Sequence, residues 1–132
     1  MATVFTRIIN REIPAQIVAE NDRFIAFLDI MPLAHGHTLV VPKRENDYIF
    51  DLTDQELADL MVFSKKVADA IRSSVDCLRV GVAVIGLEVP HTHVHLVPLR
   101  TADDINFGRP KLSPTREELA STADRIRAAF SK

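Results

Sequence analysis

The order of its segments predicts an α+β fold for this chain, a mostly antiparallel sheet packed on helices. Three observations carry that expectation. Short runs dense in branched and aromatic residues come first, at Arg23 to Asp29 (RFIAFLD) and His37 to Val41 (HTLVV). A long amphipathic stretch follows, and then two more strand-like runs, Arg79 to Ile85 and His91 to Leu99, separated only by GLEVP. Two such runs joined by so short a connection are antiparallel partners. A doubly wound sheet requires alternating strand and helix units with a glycine fingerprint. The chain has four glycines and neither GxGxxG nor GxxxxGK[ST] among them, which excludes the Rossmann and P-loop readings.

Val4 to Asn10 is short and apolar, and Pro14 behind it forces any helix there to begin or end nearby. The first strand, Arg23 to Asp29, runs into a turn at Met31-Pro32-Leu33-Ala34-His35-Gly36. The next strand, from His37, stops at Pro42. Thr53-Asp54-Gln55-Glu56 is a capping box, in which Thr53 caps the helix and Glu56 reaches back. Leu57, Leu60, Met61, Val67, Ala68 and Ile71 fall on one face behind it, so the helix is expected to run to about Ser73. The last helix is expected to begin at Ser113-Pro114, an N-cap with proline at the first helical position. Leu119, Ala123, Ile126 and Phe130 give it an apolar stripe. No repeat, low-complexity tract or linker divides the chain, so residues 1–132 are expected to form a single domain.

The 132 residues are enough to bury a core without staples. A net charge of −2 provides no basic surface for a nucleic-acid polymer, although one mononucleotide would still fit locally. The lone Cys77 makes neither an internal disulfide nor a multi-thiolate zinc site. The N-terminus lacks an apolar signal region, and no run approaches the length of a membrane span. The expected setting is the cytoplasm, with no membrane partner.

The five histidines occupy only two windows, HGH at 35–37 and HTHVH at 91–95. Alternate residues of a strand share a face, so an extended EVPHTHVHLVPL places His91, His93 and His95 together. Three readings of this face compete. A merely solvated face is a poor one, because crowded imidazoles repel when protonated and some must be neutral near pH 7. A zinc site needs three ligands plus water, with His37 and Glu88 available as further donors, but the spread of alternate residues is wide for one tetrahedral ion. Nucleophilic catalysis fits best. A neutral imidazole can attack phosphorus and divide one hard displacement into two, while its neighbours donate hydrogen bonds to the phosphoryl oxygens.

The run His91-Thr92-His93-Val94-His95-Leu96-Val97 resembles the signature of the histidine triad (HIT) family, His-φ-His-φ-His-φ-φ with φ apolar, Thr92 being the loose fit. The likeness extends over roughly residues 3 to 99, through VFTRIINREIPAQIVAENDRFIAFLDIMP, GHTLVVPK and EVPH. The tail from Arg100 is less specific. The resemblance implies a HIT-like α+β domain with about five strands, one long central helix and a C-terminal helix. It implies a nucleotide hydrolase or transferase acting at the α-phosphate of a purine nucleotide derivative, either a phosphoramidate or a dinucleoside polyphosphate. His93 would be the nucleophile, His95 a hydrogen-bond donor to the α-phosphate, His91 a support and His37 an additional supporting histidine. His35 receives no role. Asp29 would take the ribose hydroxyls, and its carboxylate suits a cis-diol. Val4, Phe5, Ile8, Ile13 and Phe27 would line an apolar slot for the base, with ordinary core as the competing reading.

Three departures bear on substrate. Many relatives carry a Cys-x-x-Cys and a later His that bind zinc. Here Thr3, Thr6 and Glu45 stand at those places, and neutral hydroxyls are poor zinc ligands, so neither metal nor cofactor is expected. The loop before the triad is short and lacks an Asn. Glu88 stands near the leaving group, where a carboxylate repels an anion unless protonated. The missing Asn and the presence of Glu88 sustain an alternative: a nucleotide-binding module with little catalysis that acts through partner proteins. The resemblance also implies a homodimer.

Overall fold

The computed structural model describes residues 2–132. Helix α1 spans Val4–Ile9, strand β1 Ile17–Glu20, β2 Phe24–Leu28 and β3 Thr38–Pro42. Helix α2 covers Asp54–Ser74, and β4 (Arg79–Ala83) and β5 (Val94–Leu99) follow, with α3 at Arg116–Phe130. Short 3₁₀ turns occupy Ile49–Asp51 and Ala102–Ile105. The five strands form one sheet in the order β1-β2-β3-β5-β4, and every pairing is antiparallel. The fold is α+β, as expected.

Residue parity sorts the two faces of the sheet. Phe24, Ala26 and Leu28 of β2 share one core with Val40, Val94 and Leu96. That core is closed by Leu60, Phe63, Val67 and Ile71 of α2 and by Ala123 and Ile126 of α3. The alternate residues Ile25 and Phe27 join Leu39 and Val41 on the opposite face, under Phe5 and Ile8 of α1. Both faces of the central strands are therefore covered, and β2 and β3 are buried at all five positions. This is why they read as continuous apolar runs rather than as alternating ones.

Helix α2 has the expected start. The Thr53 side chain accepts from Glu56 N, and the Glu56 side chain accepts from Thr53 N. Met61, assigned to its inner face, is 38% exposed, and Phe63 and Ser64 are buried instead. Helix α3 starts two residues later than Ser113 implied. Its cap is Thr115, because Glu118 three residues on completes the reciprocal pair, whereas Ser113 has Arg116 at that spacing. Strand β1 gave no alternating signal and was not expected. Its Ile17 carbonyl accepts from Arg127 of α3 at 2.5 Å, which ties the sheet edge to the last helix.

The strand expected from His91 begins at Val94. The β3–β5 register sets Leu39 against His95 and Val40 against Val94, so continuing it brings Pro42 opposite Thr92. Proline has no N–H to pair, and the Pro42 carbonyl is taken by the His91 ring. Thr92 turns to Asn46 instead, through its backbone N–H at 2.6 Å and its hydroxyl at 2.9 Å.

Candidate active site

The same parity that builds the α1-side core also builds the site. Asp29 continues the Ile25 and Phe27 row, His37 the Leu39 and Val41 row, and His95 lies opposite Leu39. Ligand-type atoms of Asp29, His37 and His95 come within 4.8 Å of one another. His37 is aimed by the turn before β3, where Gly36 has φ +99°. A side chain there would meet Val75 at 3.0 Å and Pro98 at 3.2 Å, so the position favours glycine on both counts.

Hydrogen-bond partners determine the tautomer of each ring. The Leu33 N–H donates to His37 Nδ1 at 3.0 Å, so His37 carries its proton on Nε2. That Nε2–H donates to His95 Nδ1 at 3.0 Å, which leaves the His95 proton on Nε2. His93 donates Nδ1–H to the His91 carbonyl at 2.7 Å, which leaves its Nε2 with a free lone pair. His91 donates Nε2–H to the Pro42 carbonyl at 2.8 Å, and its Nδ1 accepts the Thr3 hydroxyl at 2.8 Å.

The two nitrogens without a protein partner are thus the acceptor Nε2 of His93 and the donor Nε2–H of His95. Among the described residues no buried side-chain nitrogen or oxygen lacks a hydrogen-bond partner. These two atoms are therefore the parts of rings only 7% and 8% exposed that reach solvent. The His93 and His95 rings meet edge to face, with centroids 4.9 Å apart. Phe5 packs edge to face against His93 at 4.9 Å, and Phe107 packs against His95 at 4.7 Å.

Burial disfavours the charged forms of His37, His95 and His91. Desolvation lowers His37 to about 4, with the Lys111 charge adding to it. Desolvation first, then the neighbouring His37, lowers His95 to about 3. His91 is also lowered by burial. Asp29 is raised by desolvation, against the hydrogen bond from the Met31 N–H and the nearby positive groups.

Of the five residues assigned to a base slot, Phe5, Ile8 and Phe27 are buried together and Ile13 packs partly against them. Val4, 43% exposed, faces out. Phe5 also touches His91 and His93, so it is a wall of the histidine site as well as core. Glu88 is exposed, and its charge reaches Asp29. His35 is exposed and outside the cluster.

Two donor sets have the residue types of a metal site. At the zinc position of relatives, the Thr3 hydroxyl is spent on His91. The Thr6 hydroxyl donates to Glu45 at 2.7 Å, and Glu45 also accepts the Thr3 N–H. These residues satisfy one another and offer no thiolate, which does not fit zinc. Asp29, His37 and His95 lie close enough to converge on an ion. The facing nitrogens of the two histidines, however, are bonded to each other, so a metal would first have to break that pair.

Sequence reading missed four contributors. Thr3 and Leu33 act on rings through hydrogen bonds that no local pattern announces. Phe107 and Lys111 come from a tail segment whose Gly and Pro indicate a loop but not where it docks. The Leu112 N–H bonds the Pro32 carbonyl at 2.9 Å and brings that loop beside the turn after Asp29.

The HIT domain model matches residues 10–102. An uncharacterised HIT-like protein of Methanocaldococcus jannaschii is 36% identical, over 82% of this chain and 88% of its own. The adenosine 5'-monophosphoramidase of Schizosaccharomyces pombe is 30% identical over 96% of each chain. A zinc-bound histidine triad family protein of Mycobacterium smegmatis superposes with a TM-score of 0.85 at 29% identity, covering 99% of this chain and 94% of that one. With the family model matching most of its length and His93 and His95 packed together beside the sheet, this chain belongs to the histidine triad (HIT) family.

Proposed function

We propose that this protein is a hydrolase or transferase acting at the α-phosphate of a purine nucleotide derivative, a phosphoramidate or a dinucleoside polyphosphate, through a nucleotidyl-histidine at His93. The observation that carries the reading is the His93–His91 bond. It supports a ring whose Nδ1–H is held by the backbone and whose Nε2 points open, the arrangement a nucleophilic imidazole needs. The similarity to a fungal adenosine 5'-monophosphoramidase supports the substrate class.

In the first step the His93 Nε2 lone pair forms a bond to phosphorus, and the amine or phosphate group departs with the electrons of its own bond, an amine taking up a proton from water. Water then attacks the phosphorus, gives up a proton to solvent and displaces the imidazole, which regenerates the free ring. The His95 Nε2–H donates to a phosphoryl oxygen where charge accumulates. His37 serves His95 as a positioning partner. Behind His37 Nδ1 stands the Leu33 amide, too weak an acid to transfer its proton, and the Asp29 carboxylate lies 3.8 Å from His37 Nε2, so the pair orients the His95 ring. Asp29 accepts the ribose hydroxyls, the α1-side apolar residues take the base, and Glu88 faces the departing group. No metal takes part.

The same reading includes a homodimer in the cytoplasm. Strand β4 is a sheet edge, and Val82, Val84, Ile85 and Leu87 beside it are 36–89% exposed. A second copy would cover this edge, and sedimentation would report twice the chain mass.

The test is chemical trapping. Protein mixed with adenosine phosphoramidate or diadenosine polyphosphate, then quenched in alkali, should carry an acid-labile nucleotidyl group on His93. His93→Ala should bind AMP, show no label and lose turnover by about 10³-fold or more. Full turnover in that variant overturns the assignment. AMP binding without turnover of either substrate by the unaltered protein would instead favour a binding module.

A further inference from the structure

The segment from Asn106 to Leu112 lies against the histidine site. Phe107 sets its ring edge on His95, with centroids 4.7 Å apart, and reaches His37 at 6.3 Å. Lys111 Nζ is 6.0 Å from the Phe107 ring centroid. That ammonium is held by two carbonyls of its own loop, Phe107 O at 2.7 Å and Arg109 O at 3.3 Å. An ammonium has three donors, so one is left over. The loop is pinned next to the ribose-side carboxylate by the Leu112–Pro32 bond.

Charge balance gives this arrangement a purpose. A nucleotide α-phosphate brings negative charge into the site. His37, His91 and His95 are held neutral by burial, and Asp29 and Glu88 are acidic. Neutral rings donate hydrogen bonds but do not offset a net charge. Arg109, the other cation of this loop, is already paired with Asp103 and Asp104. Lys111 pairs with no carboxylate among the described residues, and its field is felt at Asp29, His37 and His95 together.

We propose that Lys111 binds the anionic oxygens of the nucleotide phosphate, so that this site distinguishes a nucleotide from its nucleoside through a cation on the C-terminal loop. The inference rests on the nucleotide-site reading above and adds a specificity-determining residue to it. Its carbonyl tethers pre-organise the ammonium, so that little side-chain entropy is lost on binding.

The test is calorimetric titration of the full chain with AMP and with adenosine. Lys111→Gln is the informative variant, because its amide can still donate to both loop carbonyls while carrying no charge. It should weaken AMP by about tenfold and leave adenosine unchanged, as expected for the loss of a charged hydrogen-bond donor. Lys111→Arg should retain AMP to within about threefold, and the salt dependence of AMP binding should shrink in Lys111→Gln. If the unaltered protein binds AMP well and Lys111→Gln binds it equally, Lys111 is not the phosphate cation and the nucleotide site stands. Equal weakening of AMP and adenosine also overturns the inference, since it reports a loosened loop. If the unaltered protein binds neither compound, both readings fall.

Discussion

His37 and His95 face each other through Nε2–H and Nδ1 at 3.0 Å, and the bond runs in one direction only, because the Leu33 amide occupies the other nitrogen of His37. A backbone N–H thereby sets the proton position on a ring two hydrogen bonds away. The exposed nitrogen of His95 is a donor for as long as this chain holds.

His37→Gln removes the ring that sets the His95 tautomer while leaving His93 intact. kcat should fall by about tenfold to a hundredfold with KM nearly unchanged, the size expected when a donor is misplaced rather than deleted. Steady-state kinetics on a phosphoramidate checks this. A matching loss of AMP affinity would show that His37 contacts the ligand instead.

Thr3 serves two structures at once. Its hydroxyl oxygen accepts the Thr6 N–H at the start of α1, and its proton goes to His91 Nδ1. Thr3→Val loses a helix cap and leaves a buried ring nitrogen without a donor, so it should cost about 2–4 kcal/mol. Thr3→Ser keeps both bonds and should stay within about 1 kcal/mol of the parent. Urea unfolding of the two variants decides between this account and one in which Thr3 only fills space.

Asp29→Asn should lower the preference for ribonucleotides over 2'-deoxyribonucleotides. An amide is a weaker acceptor toward a cis-diol than a carboxylate, and the expected loss in ribose discrimination is about tenfold. Competition between AMP and dAMP measures it. An unchanged ratio would remove Asp29 from the ribose site.

Acid should destabilise the protein before its carboxylates titrate. His37 and His95 have folded values of about 4 and about 3, below the 6.5 of an exposed imidazole. Between pH 6.5 and 4 the unfolded chain binds protons that the folded chain refuses. Stability is therefore fully present above 6.5 and is lost as pH falls. Each ring contributes up to about 1.4 kcal/mol per pH unit in that window. Unfolding midpoints from pH 7 to 4.5 should decline in the parent and more gently in His37→Gln.

The spacing of the histidines was enough to single out the segment that forms the candidate site, because it is a short local pattern, although only His95 of the three lies within β5. The Thr53 box and the β4–β5 pairing were legible for the same reason: each depends on a few adjacent residues. The start of β5 was not, since it turns on Pro42 arriving opposite Thr92 from fifty positions away in the chain. Helix α3 was misplaced by two residues because two caps competed locally, and the one with a carboxylate three residues on prevailed.

By itself the sequence pointed to the family and to the histidine-rich segment beside the sheet, both consequences of short-range pattern. Only the tertiary structure decided the proton on each imidazole, the satisfied cluster of Thr3, Thr6, Glu45 and His91, and the docking of Phe107 and Lys111 on the site. Those depend on hydrogen bonds and charges meeting across the fold, and no local periodicity encodes which distant atoms will come within 3 Å of one another.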